Sequence, residues 1–264
     1  MKRELSATME QQQQLSKPVT KHTLRLPAIA RTLALTSLLA ACGGGGGGSE
    51  AGPAIDPTQL KGRWVTASGV TLAVTALVLP DASGNANAWL LSQDATRLVK
   101  LVVRSDSSAN GKSYSLNQSN ATGQTVTGQV SATLTTSPKS IAFTGVNTTA
   151  PSLSQSDTLG TAAVQAEVAG TWRATSGGNA QTTQWNITST GSTSGTSTTG
   201  CAYAGAVNAI SSTAAYGVQV TESCPDGTKT TFTGIGSLNA AKNGLTVVLT
   251  SADETRGAAV FFSK

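Results

Sequence analysis

Leu60-Lys61-Gly62-Arg63-Trp64-Val65 returns 108 residues later as Val168-Ala169-Gly170-Thr171-Trp172-Arg173, and this pair of hexapeptides decides the fold. Each places a glycine two residues before a tryptophan at the start of a strand-forming run. Working outward, Val126-Thr127-Gly128 matches Phe232-Thr233-Gly234 at an offset of 106, and Asn110-Gly111-Lys112 matches Asp226-Gly227-Thr228 at 116. Offsets that stay near 110 while loop lengths vary are expected of two copies of one module. The 264-residue chain therefore divides into a first module at 57–150, a polar connector at 151–166 (PSLSQSDTLGTAAVQA) and a second module at 167–264.

Within the modules the apolar period is two. Val99, Leu101 and Val103 share one face, with Lys100 and Arg104 on the other. Trp185 and Ile187 alternate with Gln184, Asn186 and Thr188, and Leu245, Val247 and Leu249 form a third inward set. This alternation marks half-buried antiparallel strands. Asn110-Gly111, Asp226-Gly227 and Asn243-Gly244 read as hairpin turns, because type I′ turns need positive φ. About six or seven short strands per module and no amphipathic helix are expected. The fold class is all-β: two tandem small antiparallel meander barrels, since closure removes sheet edges. One larger barrel or sandwich merged from both halves fits the same pattern.

Gly62-x-Trp64 and Gly170-x-Trp172 resemble the G-x-W opening of lipocalin- and avidin-like barrels. That resemblance implies a structural motif, with glycine allowing close backbone approach and the indole plugging one barrel end. It does not extend to biotin binding, because the avidin-like pattern carries further tryptophans on later strands and only Trp89 and Trp185 remain here. The second module alone also resembles small β-barrel inhibitors of bacterial metalloproteases. Gly170-Thr171-Trp172, the pair Cys201 and Cys224, Asn243-Gly244-Leu245-Thr246-Val247 and Ala258-Ala259-Val260-Phe261-Phe262-Ser263 carry the likeness over about 95 residues. The chain departs from that family in the long stretch between Trp172 and Cys201 and in a first module without cysteines. It also has no recognisable inhibitory segment. If the activity carried over, the 151–166 connector would be the arm that enters a protease cleft.

The N-terminus has a different character. Lys17, Lys21, Arg25 and Arg31 precede a predominantly apolar run of ten residues at 32–41 (TLALTSLLAA), too short to span a bilayer as a helix. Leu39-Ala40-Ala41-Cys42-Gly43 resembles the bacterial lipobox. By that resemblance residues 1–41 are a signal peptide and Cys42 is the lipidated first residue, carrying diacylglycerol and palmitate. Gly43 stands where an inner-membrane retention signal would show Asp, which implies the outer membrane, facing periplasm or cell surface. Six glycines at 43–48 open a tether that runs to residue 56.

Composition narrows the function. Six of the 18 Lys/Arg and two of the 13 Asp/Glu lie in 1–41, which leaves twelve basic against eleven acidic residues beyond it. The basic balance thus belongs to the leader and is no sign of nucleic-acid binding. His22 is the only histidine, so residues 42–264 contain none, and His-dependent triads and His-ligated metals are excluded there. Cys201 and Cys224 are an even pair in a chain read as exported. A disulfide is expected, with two buried free thiols as the alternative, and two thiolates are too few for a closed zinc site.

The stretch Gly191-Ser192-Thr193-Ser194-Gly195 has threonine where a nucleophilic serine would stand and reads as a polar loop. Asp253-Glu254 and the nearby Glu222 and Asp226 read as solvated loop carboxylates, not an acid–base pair. No cofactor is expected. The expected role is non-enzymatic: a lipid-anchored envelope or surface protein that binds a macromolecule or supports the envelope. The alternatives are protease inhibition by the second module and a lipocalin-like carrier of a small apolar ligand. The partners are then the membrane, through the lipid, and a protein such as a protease or an envelope component.

Overall fold

The computed structural model describes residues 54–66, 73–116, 122–146, 152–176 and 181–264. The segment expected to be a signal peptide at 1–41, Cys42 and most of the expected tether lie outside the described residues. The fold is all-β, with two closed antiparallel barrels of eight strands each. The first contains β1 (Gly62–Thr66), β2 (Val74–Pro80), β3 (Ala86–Ser92), β4 (Arg97–Val103), β5 (Ser108–Ser115), β6 (Gln124–Thr133), β7 (Ser140–Thr144) and β8 (Leu153–Asp157). The second contains β9 (Gly170–Ser176), β10 (Gln181–Ile187), β11 (Ser192–Ser197), β12 (Ala202–Ala209), β13 (Tyr216–Ser223), β14 (Lys229–Leu238), β15 (Gly244–Ser251) and β16 (Gly257–Ser263). Both are meanders: each strand pairs with the next, and the last returns to the first. β8 closes on β1 with Leu153 opposite Thr66, and β16 closes on β9 with Ser263 opposite Arg173.

The expected inward sets face the cores. Val99, Leu101 and Val103 are at most 1 % exposed inside the first barrel with Trp64, Leu90 and Phe143. Trp185, Ile187, Leu245, Val247 and Leu249 fill the second with Trp172, Tyr216 and Phe262. The two tryptophans of the G-x-W pairs are completely buried and make the same hydrogen bond. The Trp64 indole N–H donates to the Leu60 carbonyl at 2.9 Å, and that of Trp172 to the Val168 carbonyl at 2.7 Å. Each indole thereby fixes the four residues that lead into its first strand: the 3₁₀ turn Pro57–Leu60 in one barrel, the short helix Gln165–Val168 in the other. The glycines serve by different means. A Cβ on Gly62 would meet the Asp157 carbonyl, whereas Gly170 adopts φ +126, a conformation side chains disfavour.

Four expectations change. There are eight strands per barrel where six or seven were expected. Leu153–Asp157, placed in the connector by its polar sequence, is the closing strand of the first barrel, so the link between barrels begins after Asp157. Asn110-Gly111 is not a turn but the middle of β5, opposite Thr127 and Val126 of β6. Asp226-Gly227 is a turn, with Gly227 at φ +85, while in the β14–β15 turn the left-handed residue is Lys242, not Asn243. The Val126/Phe232 and Gly128/Gly234 pairs do occupy matching places. Each sits on the sixth strand of its barrel, and a Cβ on either glycine would strike a carbonyl of the seventh, Thr144 or Val248.

The barrels are packed wall to wall. Outward residues Leu79, Trp89, Leu98 and Tyr114 of the first meet Ala215, Ile235 and Val248 of the second and Leu159 of the link, all at most 7 % exposed. The Tyr114 hydroxyl donates to the Glu254 carbonyl at 3.1 Å, and Lys100 pairs with the Glu254 carboxylate at 2.7 Å. Gly123 N–H donates to the Thr255 carbonyl at 2.9 Å, and Thr122 and Arg256 form a bridge. The link itself is held down: Leu159 is buried, and Ala163 N–H donates to the Thr213 carbonyl at 2.6 Å.

Candidate functional site

The carboxylates come first, because a hydrolytic or acid–base site would draw on them. All seven aspartates of the chain lie among the described residues, and each accepts a hydrogen bond from the backbone amide two residues ahead. The pairs are Asp56 with Thr58, Asp81 with Ser83, Asp94 with Thr96, Asp106 with Ser108, Asp157 with Leu159, Asp226 with Thr228 and Asp253 with Thr255, at 2.8–3.2 Å. They are turn-forming residues. These bonds hold the carboxyls of Asp56, Asp94, Asp106, Asp226 and Asp253 below their ordinary pKa, side-chain partners leading in all but Asp226, where the Thr228 amide leads.

The three described glutamates are ion-paired: Glu167 with Lys242 at 2.8 Å, Glu254 with Lys100 at 2.7 Å, and Glu222 with Arg256 at 3.7 Å. Glu222 and Glu254 are half-buried, not solvated loop groups as expected. Glu222 also accepts from the Tyr203 hydroxyl at 2.8 Å; burial, then this bond, push the Tyr203 phenol up to about 12.

Cys201 and Cys224 form a disulfide, Cα to Cα 4.0 Å, joining the residue before β12 to the residue after β13. Glu222 lies beside them within metal-ligand reach, but the disulfide removes both thiolates and leaves one carboxylate. Gly191-Ser192-Thr193-Ser194-Gly195, read as a loop, runs into β11; Thr193 points inward, 3 % exposed, and donates to the Gly191 carbonyl.

A cluster of buried side chains occupies the inside of each barrel. The two described clefts lie instead on the outer walls where the barrels meet. The first, about 280 Å³, continues the apolar interface to its open end. Leu77, Trp89 and Leu91 form one wall and Val248 and Phe261 the other, with Arg63 at the edge they share. Phe261 points out of β16 and is 50 % exposed, while its neighbour Phe262 points into the core at 3 %. The second cleft, about 510 Å³, is more polar and is lined by Asp157, Glu167, Tyr216 and Lys242; Arg63, Leu238 and Asn239 belong to both.

Arg63 follows Gly62 in β1, so it faces outward where Trp64 faces in. Its Nη2 donates to the Ser237 hydroxyl across the barrel boundary, and its Nε is buried with no hydrogen-bond partner. No carboxylate lies within ion-pair distance of it among the described residues. The quoted hexapeptide contains this residue, yet nothing in the sequence marks it, because the cleft is assembled from strands more than a hundred positions apart. Of the residues singled out in the sequence, Gly62, Trp64, Gly170 and Trp172 build the barrel starts, Cys201 and Cys224 the clamp, and Cys42 lies outside the described residues. Comparison with protein-family models, with characterised proteins and with solved structures gives no match for this chain.

Proposed function

We propose that this protein is a non-enzymatic lipoprotein of the bacterial outer membrane, anchored through Cys42 and holding a rigid two-barrel binding head on a glycine tether. The observation that carries the binding reading is the cleft at the open end of the barrel interface. There apolar side chains that are sealed deeper in the interface, beside Leu98 and Ile235, lie open at Leu77, Leu91 and Phe261. Exposed apolar surface bordered by polar groups is characteristic of binding sites. The place of Leu153–Asp157 in β8 favours the interface cleft over an inhibitory arm at 151–166, and the buried side chains inside each barrel favour it over a lumen site.

Anchoring and binding are tested separately. Metabolic labelling with palmitate should mark the wild-type chain and not Cys42→Ala, and acylation of that variant would overturn the anchor. A photo-crosslinking residue at Phe261, compared in cells with one at exposed Asn186 on the far wall of β10, reads the binding face. Adducts concentrated at position 261 are expected; equal labelling at both positions would remove the cleft from the reading.

A further inference from the structure

We infer that the first cleft binds a small amphipathic monocarboxylate, a medium-chain alkyl acid, with its carboxylate on Arg63 and its chain between Leu91 and Phe261. This deepens the binding reading above and rests on the cleft being the binding face. Three observations carry it.

Arg63 is the half-buried arginine at the head of an apolar cleft, and its Nε is shielded from water without a hydrogen-bond partner. A guanidinium offers a planar fork of donors that matches a carboxylate with two parallel bonds. With one Nη2 hydrogen on Ser237, the guanidinium keeps four further N–H donors, Nε–H among them, for an incoming carboxylate. Among the described residues no side-chain carboxylate is placed to pair with it: the seven aspartates close turns, and Glu167, Glu222 and Glu254 pair with Lys242, Arg256 and Lys100. A ligand's carboxylate would fill that place.

The walls select the body of the ligand. Leu77, Leu91 and Val248 are aliphatic, Trp89 and Phe261 present flat rings, and the cleft is continuous with a desolvated interface. Burial of a methylene is favourable by about 0.8 kcal/mol, so a chain adds affinity that a bare anion lacks. At about 280 Å³ the space lies at the small end of ligand pockets. It suits a medium chain better than a whole membrane lipid.

The test uses the full chain carrying Cys42→Ala, so that no covalent acyl group competes, with decanoate as the probe. Binding is followed by titration calorimetry and by the emission of the tryptophans, Trp89 being the one in the cleft wall. Decanoate should bind at least roughly tenfold more tightly than decanol, the margin expected of one charge-assisted pair. Arg63→Gln should erase that margin, so that decanoate binds no more tightly than decanol. Phe261→Ser, at a half-exposed position that the fold does not need, should weaken both ligands several-fold. Decanoate binding no tighter than decanol, a margin that survives Arg63→Gln, or no heat and no emission change with either probe would each overturn the proposal. Crosslinking that remains concentrated at position 261 alongside such a result would show that the cleft is used but the ligand class is wrong.

Discussion

At the inward position of β5 opposite Leu101, Gly111 has the Lys100 carbonyl oxygen where a side chain would begin. A small barrel must coil its strands tightly, and glycine is the residue that lets one backbone lie that close to another. Gly111→Ala should therefore cost about 1–3 kcal/mol, the range for forcing atoms into a packed site. Gly217→Ala in β13, where the nearest atom stands at 3.7 Å, should be close to neutral. Urea denaturation of the two variants checks this, and equal losses would break the argument. The tyrosines give a pH prediction at the same scale. Burial pushes up all three phenols of the chain: Tyr203 to about 12, Tyr114 further, with Glu254 and Asp253 adding to it, and Tyr216 also upward. A raised folded pKa means the fold holds the proton more tightly than the unfolded chain. The associated stability is whole below the ordinary value of 10.0 and is lost as pH rises through the folded values. Phenolate absorbance should thus rise at higher pH in the folded protein than in the urea-unfolded chain. Coincident titration curves for the two states would contradict the burial.

Among the elements, β12 and β13 show what the disulfide adds. They already share eight paired positions from Ala202–Ser223 to Ala209–Tyr216, and Cys201–Cys224 clamps the end of the hairpin away from its turn. Its main effect should therefore fall on the unfolded chain, about 3 kcal/mol for a separation of 23 residues. Cys201→Ser with Cys224→Ser should lower stability by up to that amount and keep the β circular dichroism spectrum; loss of the spectrum at room temperature would show that the second barrel cannot close without it. Strands were legible in the sequence where large apolar residues alternate, as in β4, β10 and β15. They were hidden where the inward positions are small: Ala109, Gly111 and Ser113 in β5, and Thr193, Gly195 and Ser197 in β11. β8 offers only Leu153 as a large buried residue. In β11 Gly195 leaves room for Trp185, and in β5 Gly111 lets the backbone of β4 come close, so the property that makes the barrel pack also removes its pattern. The cleft was hidden for another reason: outward Leu77, Trp89, Leu91 and Val248 look like ordinary strand residues until two barrels face each other.

For the whole molecule, the outer wall of each barrel is part of a third core. Leu98 and Tyr114 of the first barrel and Ala215 of the second are fully buried, and this apolar surface would face water in either barrel alone. Large aromatic residues dominate such contacts, and Trp89 and Tyr114 supply them here. The first barrel has no disulfide, which from sequence alone makes it the less resistant to heat. The shared core opposes that difference, because melting the first barrel would expose the wall of the second. One calorimetric transition is therefore expected for the intact protein, with a van't Hoff enthalpy close to the calorimetric one. Leu98→Asp places a carboxylate in the contact without touching either barrel interior, since Leu98 points outward from β4 while Val99 points in. An unpaired buried charge is strongly unfavourable, so this variant should part the barrels and split the transition. The step at lower temperature would belong to the first barrel, and only the other would respond to reduction of Cys201–Cys224. Two resolved transitions in the wild-type protein would mean that the interface does not couple the barrels, and the cleft at its end would then lose its fixed second wall.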